Sequence, residues 1–132
     1  MKILDTVALI AFSRPSDRLH EAGKKHIKAV TNTDETFVPS AVLLELDTVL
    51  KSRNFSYDER KEIFETLAPV IPNDKVLRLT PPILKRAAEL DSVASWRDHY
   101  FDVIIVATAL EHAAEVVTTD SKMSSLGVTV SW

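Results

Sequence analysis

Five short β-prone runs alternate with helical segments along this chain, and that alternation restricts the fold more than any other feature. The runs are residues 2–5, 36–39, 76–79, 116–119 and 128–130. Between them lie segments patterned as helices: from Ser16 or Asp17 to about Val30, 41–53, Ser56 to just before Pro72, 81–93 and 98–113. Residues 7–12 are apolar up to the interruption at Pro15. Strands separated by helices are joined by crossovers rather than hairpins, so the expected fold is α/β, with a mainly parallel sheet and helices on both faces. At 132 residues, without repeats or a long linker, the chain is read as one domain spanning 1–132.

Composition removes several classes of function. There is no cysteine, hence no disulfide framework and no zinc finger. Only Gly23 and Gly127 are glycine, which excludes a phosphate-cradling loop or a dinucleotide fingerprint. Sixteen basic against nineteen acidic residues give a net charge of −3, against a non-specific DNA coat. No apolar run is long enough to span a bilayer, and the N-terminus reads as a strand rather than a signal peptide, so no membrane association and a cytoplasmic location are expected. The four histidines, His20, His26, His99 and His112, form no i, i+4 pair and are read as surface or cap residues. Charge is uneven: residues 1–28 hold six basic and three acidic side chains, and residues 97–122 two basic and five acidic.

Four acids stand where acids are costly or exposed to ligands. Asp5 and Asp120 each follow a strand, and in an open parallel sheet ligands bind beyond the carboxyl ends of strands. The competing role for either is a turn or helix cap. Glu45 borders the apolar stripe Val42, Leu46, Val49 and Leu50 of its helix and is expected to be half-buried, whereas Asp47, on the opposite edge, reads as a surface or salt-bridged residue. Asp102 is the only charge in an eleven-residue run, 100–110, that is otherwise apolar apart from Thr108 and the Tyr100 hydroxyl. A helix apolar all round is buried, and a buried carboxylate needs a cation or an arginine. Asp98, one turn earlier on the same face, is placed to assist. Oxygen donors without cysteine or an organised histidine set suit a hard cation, Mg²⁺ or Mn²⁺. Clustered without a metal, the four acids repel and their pKa values rise.

These motifs together resemble the PIN-domain ribonucleases, most closely the small VapC-like toxins of type II toxin–antitoxin systems. The resemblance covers essentially the whole chain: Ile3-Leu4-Asp5-Thr6, then Pro39 to Leu46 with Glu45 as its acid, Tyr100 to Ala109 with Asp102, and Val117-Thr118-Thr119-Asp120. It implies a three-layer α/β/α fold with about five strands and a metal-dependent endoribonuclease whose site acids and metal ligands are Asp5, Glu45, Asp102 and Asp120. Thr6, Thr118 and Asp98 would support them from behind. It further implies an RNA substrate, a cognate antitoxin docking on helices near the site, and a homodimer. An apolar groove formed by Ile63, Phe64 and Leu67 with Leu43, Leu44 and Leu50 is one place for an antitoxin helix, although such stripes also serve as core. Two positions depart from the family: Val7 stands where Ser or Asn is frequent, and Met123 where an aromatic is frequent. Two rival readings are a phosphoacceptor receiver domain, which lacks its acidic pair and strand-end lysine here, and a non-catalytic PIN-like module that binds RNA or protein.

Overall fold

The structure, a computed structural model, describes residues 1–96 and 99–132. Five strands, β1 (Lys2–Leu4), β2 (Thr36–Pro39), β3 (Val76–Leu77), β4 (Glu115–Val117) and β5 (Val130–Ser131), form one sheet in the order β3-β2-β1-β4-β5. Every pairing is parallel. Six helices connect them: α1 (Thr6–Ser13), α2 (His20–Asn32), α3 (Ser40–Ser52), α4 (Tyr57–Leu67), α5 (Pro81–Asp91) and α6 (Tyr100–Glu111). The result is the expected three-layer α/β/α arrangement. No helix among the described residues is long and apolar enough to cross a membrane.

Local chemistry explains most element boundaries. Ser56 caps α4, its hydroxyl accepting from the Glu59 N–H at 3.2 Å, and Pro81 and Pro82 fill the first turn of α5. The apolar segment after β1 is itself a helix, because Asp5 accepts from the Thr6 N–H at 2.7 Å and starts α1 directly. Asp17 does not cap α2. Its carboxylate accepts from the Leu19 N–H at 2.8 Å and closes a turn, so α2 begins at His20. Ser40, read from sequence as a cap, is the first residue of α3; its hydroxyl instead accepts from the Leu79 N–H at 3.0 Å and ties down the chain after β3. The last strand starts later than expected because Gly127, at φ 93°, terminates a 3-10 turn over Ser121–Leu126.

The core contains Ile3, Leu4, Val38 and Val116 from the sheet, with Leu9, Ile27, Val42, Leu46 and Ile105 from the helices, each with essentially no exposed surface. Seven consecutive residues of α6, Val103 to Ala109, are buried, as an all-apolar helix requires. A second cluster joins Ala41 of α3 and Ile83 and Ala87 of α5 to Val103, Ile104 and Ala107 of α6. Gly23 brings α2 onto α1. A Cβ there would stand 2.7 Å from the Phe12 amide nitrogen and 2.9 Å from the Ala11 Cβ.

Candidate active site

The strand order reverses between β1 and β4. From β1 the chain winds out through β2 to β3, then returns to β4 on the other side and continues to β5. In open α/β sheets the crevice beyond such a reversal is where ligands bind. Asp5 lies at this point, one residue past β1, its N–H donating to the Val117 carbonyl at 3.1 Å. Thr118, one residue past β4, donates from its hydroxyl to the other oxygen of Asp5 at 2.6 Å. The same hydroxyl accepts from the Asp120 N–H at 3.0 Å, and Asp120 accepts from the Lys122 N–H at 2.9 Å. From α1, the Thr6 hydroxyl donates to Glu45 of α3. Two threonines thus orient two acids, one from each neighbouring strand end. Thr6 supplies the hydroxyl that Val7 lacks, whereas Met123 is buried in the core.

Asp5 is the most buried acid, 7% exposed; Glu45, Asp102 and Asp120 are half-buried. The apolar neighbours of Asp102 predict a buried carboxylate, and the structure leaves it half-buried. It lies in the first turn of α6, just before the buried stretch that begins at Val103. Burial pushes the Asp5 carboxyl up to about 6, against hydrogen bonds from Thr118 and Thr6, with Asp102 and Asp120 adding repulsion. Burial also pushes Glu45 up to about 7, opposed by Thr6 and reinforced by Asp5 and Asp102. Asp102 is raised by burial and by Asp120, and held back by Trp96, Lys122 and His99. Asp5 thus feels Asp102 and Asp120, Glu45 feels Asp5 and Asp102, and no lysine or arginine forms an ion pair with any of the four acids among the described residues. Asp47, by contrast, is salt-bridged, accepting two bonds of 2.8 Å from Arg60 of α4.

The donor set is oxygen only, which fits a hard cation and not zinc. Among the described residues no three carboxylates or histidines stand close enough to enclose a metal ion directly. Mg²⁺ keeps several waters and needs only one or two direct carboxylates, so acids spaced for water-bridged contact remain compatible with it. Asp98 lies outside the described residues. Trp96, His99 and Lys122 favour the charged form of Asp102; His99, expected as a surface or cap residue, stands at the N-cap of α6, and none of the three is given a site role by the sequence pattern. Lys122 was accessible to inference, two residues past the last acid; the other two needed the loop geometry. Of the other histidines, His20 Nδ1 bonds the Ala11 carbonyl at 2.8 Å, His26 packs on Trp132, and His112 is the exposed C-cap of α6.

Residues 2–128 match the sequence profile of the family described as PIN domain. The chain belongs to the PIN-domain family. Among solved structures, this PIN domain is similar in fold to FitAcB from Neisseria gonorrhoeae, with TM-score 0.74 and 19% identity over 98% of this chain and 96% of that one. It is equally similar to the sarcin-ricin loop cleaving toxin VapC20 of Mycobacterium tuberculosis, with TM-score 0.74 and 17% identity over 98% and 97% of the two chains. A toxin–antitoxin complex from Klebsiella pneumoniae matches with TM-score 0.68 and 20% identity, covering 100% of this chain and 97% of that one. No curated protein matches the chain in sequence.

Proposed function

We propose that residues 1–132 act as one PIN-domain endoribonuclease unit, dependent on Mg²⁺ or Mn²⁺, and serve as the VapC-like toxin of a toxin–antitoxin pair acting on cytoplasmic RNA. The observation that supports this reading is the hydrogen-bonded chain at the strand-order reversal, where Thr118 holds Asp5 and the Asp120 N–H and Thr6 joins Asp5 to Glu45, with Asp102 adding repulsion to both Asp5 and Glu45. A repelling cluster of acids costs stability and is explained by a cation that relieves it. Asp5 and Asp102 are the proposed direct ligands, with Glu45 and Asp120 binding directly or through water. A bound cation would supply Lewis-acid activation of water and neutralisation of phosphate charge. The chain's own part is orientation and proton handling. Thr118 fixes one oxygen of Asp5, and the Thr6 N–H fixes the other. The Thr6 hydroxyl aims Glu45, whose carboxyl near neutrality suits it to take a proton from the attacking water. Asp98, outside the described residues, is proposed to support Asp102.

Two surface features support the proposed partners. A cleft of about 640 Å³ has an apolar floor of Phe12, Pro15, Phe55 and Ile63 and a charged rim of His20, Lys24, Glu59 and Glu62, a shape suited to an amphipathic antitoxin helix. Leu44 and Tyr57, 59% and 75% exposed, border a second hollow with Leu43 and Phe64 that suits a second copy of the chain. The groove expected from sequence is thus divided between two hollows, because Leu50 and Leu67 are core.

The deciding experiment is Asp5→Asn, which keeps the shape and removes the charge. Mg²⁺- or Mn²⁺-dependent RNA cleavage disappears while the circular dichroism spectrum is unchanged; full residual activity in that variant, with contaminating nuclease controlled for, sinks the assignment. That no three acids among the described residues stand close enough to enclose a metal ion is the one observation that favours a non-catalytic RNA- or protein-binding module. A chain that binds no Mn²⁺ at millimolar concentration would be that module.

A further inference from the structure

The basic excess of residues 1–28 has no part in the proposed chemistry, and the fold gathers some of it around a cavity of about 350 Å³ between α2 and the sheet. Lys2 and Leu4, which share one face of β1 by the alternation of a strand, line it together with Val117 of β4. Lys25 and His26 of α2 and Trp132, just past β5, line it as well. The rings of His26 and Trp132 pack with centroids 4.7 Å apart and planes at 58°, and Trp132 stays 38% exposed. Lys25 is exposed and forms no ion pair among the described residues. Lys2 reaches Glu115 at 3.6 Å with half of its side chain in solvent. One acid, Glu35, is on the lining. Burial lowers the pKa of His26, and the charges of Lys25 and Lys2 lower it further, so the imidazole is neutral and adds no third cation.

A part-exposed indole beside ammonium groups that lack close partners has the chemistry that holds single-stranded nucleic acid, where bases stack on aromatic rings and lysines neutralise phosphates. The volume suits one small ligand rather than a peptide helix. Two of the lining residues, Leu4 and Val117, immediately precede Asp5 and Thr118 in the chain, so the cavity borders the candidate active site. We propose that this cavity is a subsite for one nucleotide of single-stranded RNA, its base against Trp132 and its phosphate between Lys2 and Lys25. The inference rests on the reading of RNA as the substrate and requires no metal. A free nucleoside monophosphate offers the same base and phosphate, and the test separates the two sources.

The full chain is titrated in EDTA, where metal-dependent cleavage is off, against a short unstructured single-stranded RNA carrying a fluorophore, and binding is read by anisotropy at several salt concentrations. Lys25→Gln weakens binding and lowers the slope of log affinity against log salt by about one, a change that a structural role for Lys25 would not produce. Trp132→Ala weakens binding about fivefold or more, whereas Trp132→Phe keeps a stacking ring and most of the affinity. Adenosine monophosphate competes more weakly than the RNA; tighter binding of the mononucleotide overturns the assignment to RNA. Lys25→Gln with the parent's salt slope, or Trp132→Ala with the parent's affinity, overturns the proposal alone. Where Trp132→Ala does not fold, the salt slope of Lys25→Gln decides. A parent that binds no RNA in EDTA overturns the subsite, whatever it cleaves with metal. A parent that binds RNA through Lys25 and Trp132 yet cleaves none with Mg²⁺ or Mn²⁺ upholds the subsite and overturns the nuclease reading.

Discussion

Asp5 starts α1, takes a hydroxyl from across the sheet and remains a carboxylate with almost no access to water. Its carboxyl, pushed to about 6, and that of Glu45, pushed to about 7, hold more protons in the folded chain than in the unfolded one, where they titrate near 3.8 and 4.5. The destabilisation from these groups is absent below their unfolded values, grows as pH rises through the window, and is complete above about 7. For Asp5 alone the shift corresponds to about 3 kcal/mol. The melting temperature of the metal-free protein therefore falls as pH is raised from about 5 to about 8, and Mg²⁺ recovers most of the loss at the upper end. A melting temperature that climbs over that range would mean that the carboxyls are paired rather than repelled. Asp102→Asn, which removes a repelled charge, preserves the metal-free melting temperature or raises it by about 4 °C, on the order of 1 kcal/mol. A large drop would place Asp102 in a structural ion pair. Both acids were visible in the sequence as charges in apolar surroundings. Their order of burial was not, because it depends on which strand ends up beside β1, and no local pattern carries that information.

The helices show where periodicity is sufficient and where it fails. α3, α4, α5 and α6 were legible from their stripes and first-turn chemistry, to within a few residues. The polar side of α2 was legible too: Arg18 just before it and Lys24, Lys25 and Lys28 on it are all exposed. α1 was not read as a helix. It is apolar on every side, so it has no stripe to read, and its start is defined by a carboxylate that also belongs to the site. The packing of α1 on α2 depends on Gly23. Gly23→Ala places a methyl group against backbone at 2.7 Å, which a flexible side chain cannot relieve. A loss of about 1–3 kcal/mol follows, read as a drop of several degrees in melting temperature. Because α1 opens with Thr6, the shifted helix also misaligns Glu45, and the proposed RNA cleavage is expected to fall more than stability does. An alanine variant as stable as the parent would show that α1 and α2 are free to separate.

At the scale of the whole molecule, alternation of strands and helices was enough to give a parallel sheet, but not its order. The sequence spacing of β1 and β4 holds no hint that they are neighbours, with Ile3 beside Val116 and Leu4 beside Val117. Nor does it show that this seam divides the two directions of winding. The site is assembled across the seam, with the first acid and the threonine that aligns it separated by 113 positions. During synthesis β1 emerges first and waits. It pairs with β2 early, but its other edge has no neighbour until β4, more than a hundred residues later, has been made. An unfinished copy thus carries Asp5 without the hydroxyl that orients it and without Asp120. A nascent chain therefore cannot assemble this cluster of acids until β4 and the residues that follow it have cleared the ribosome.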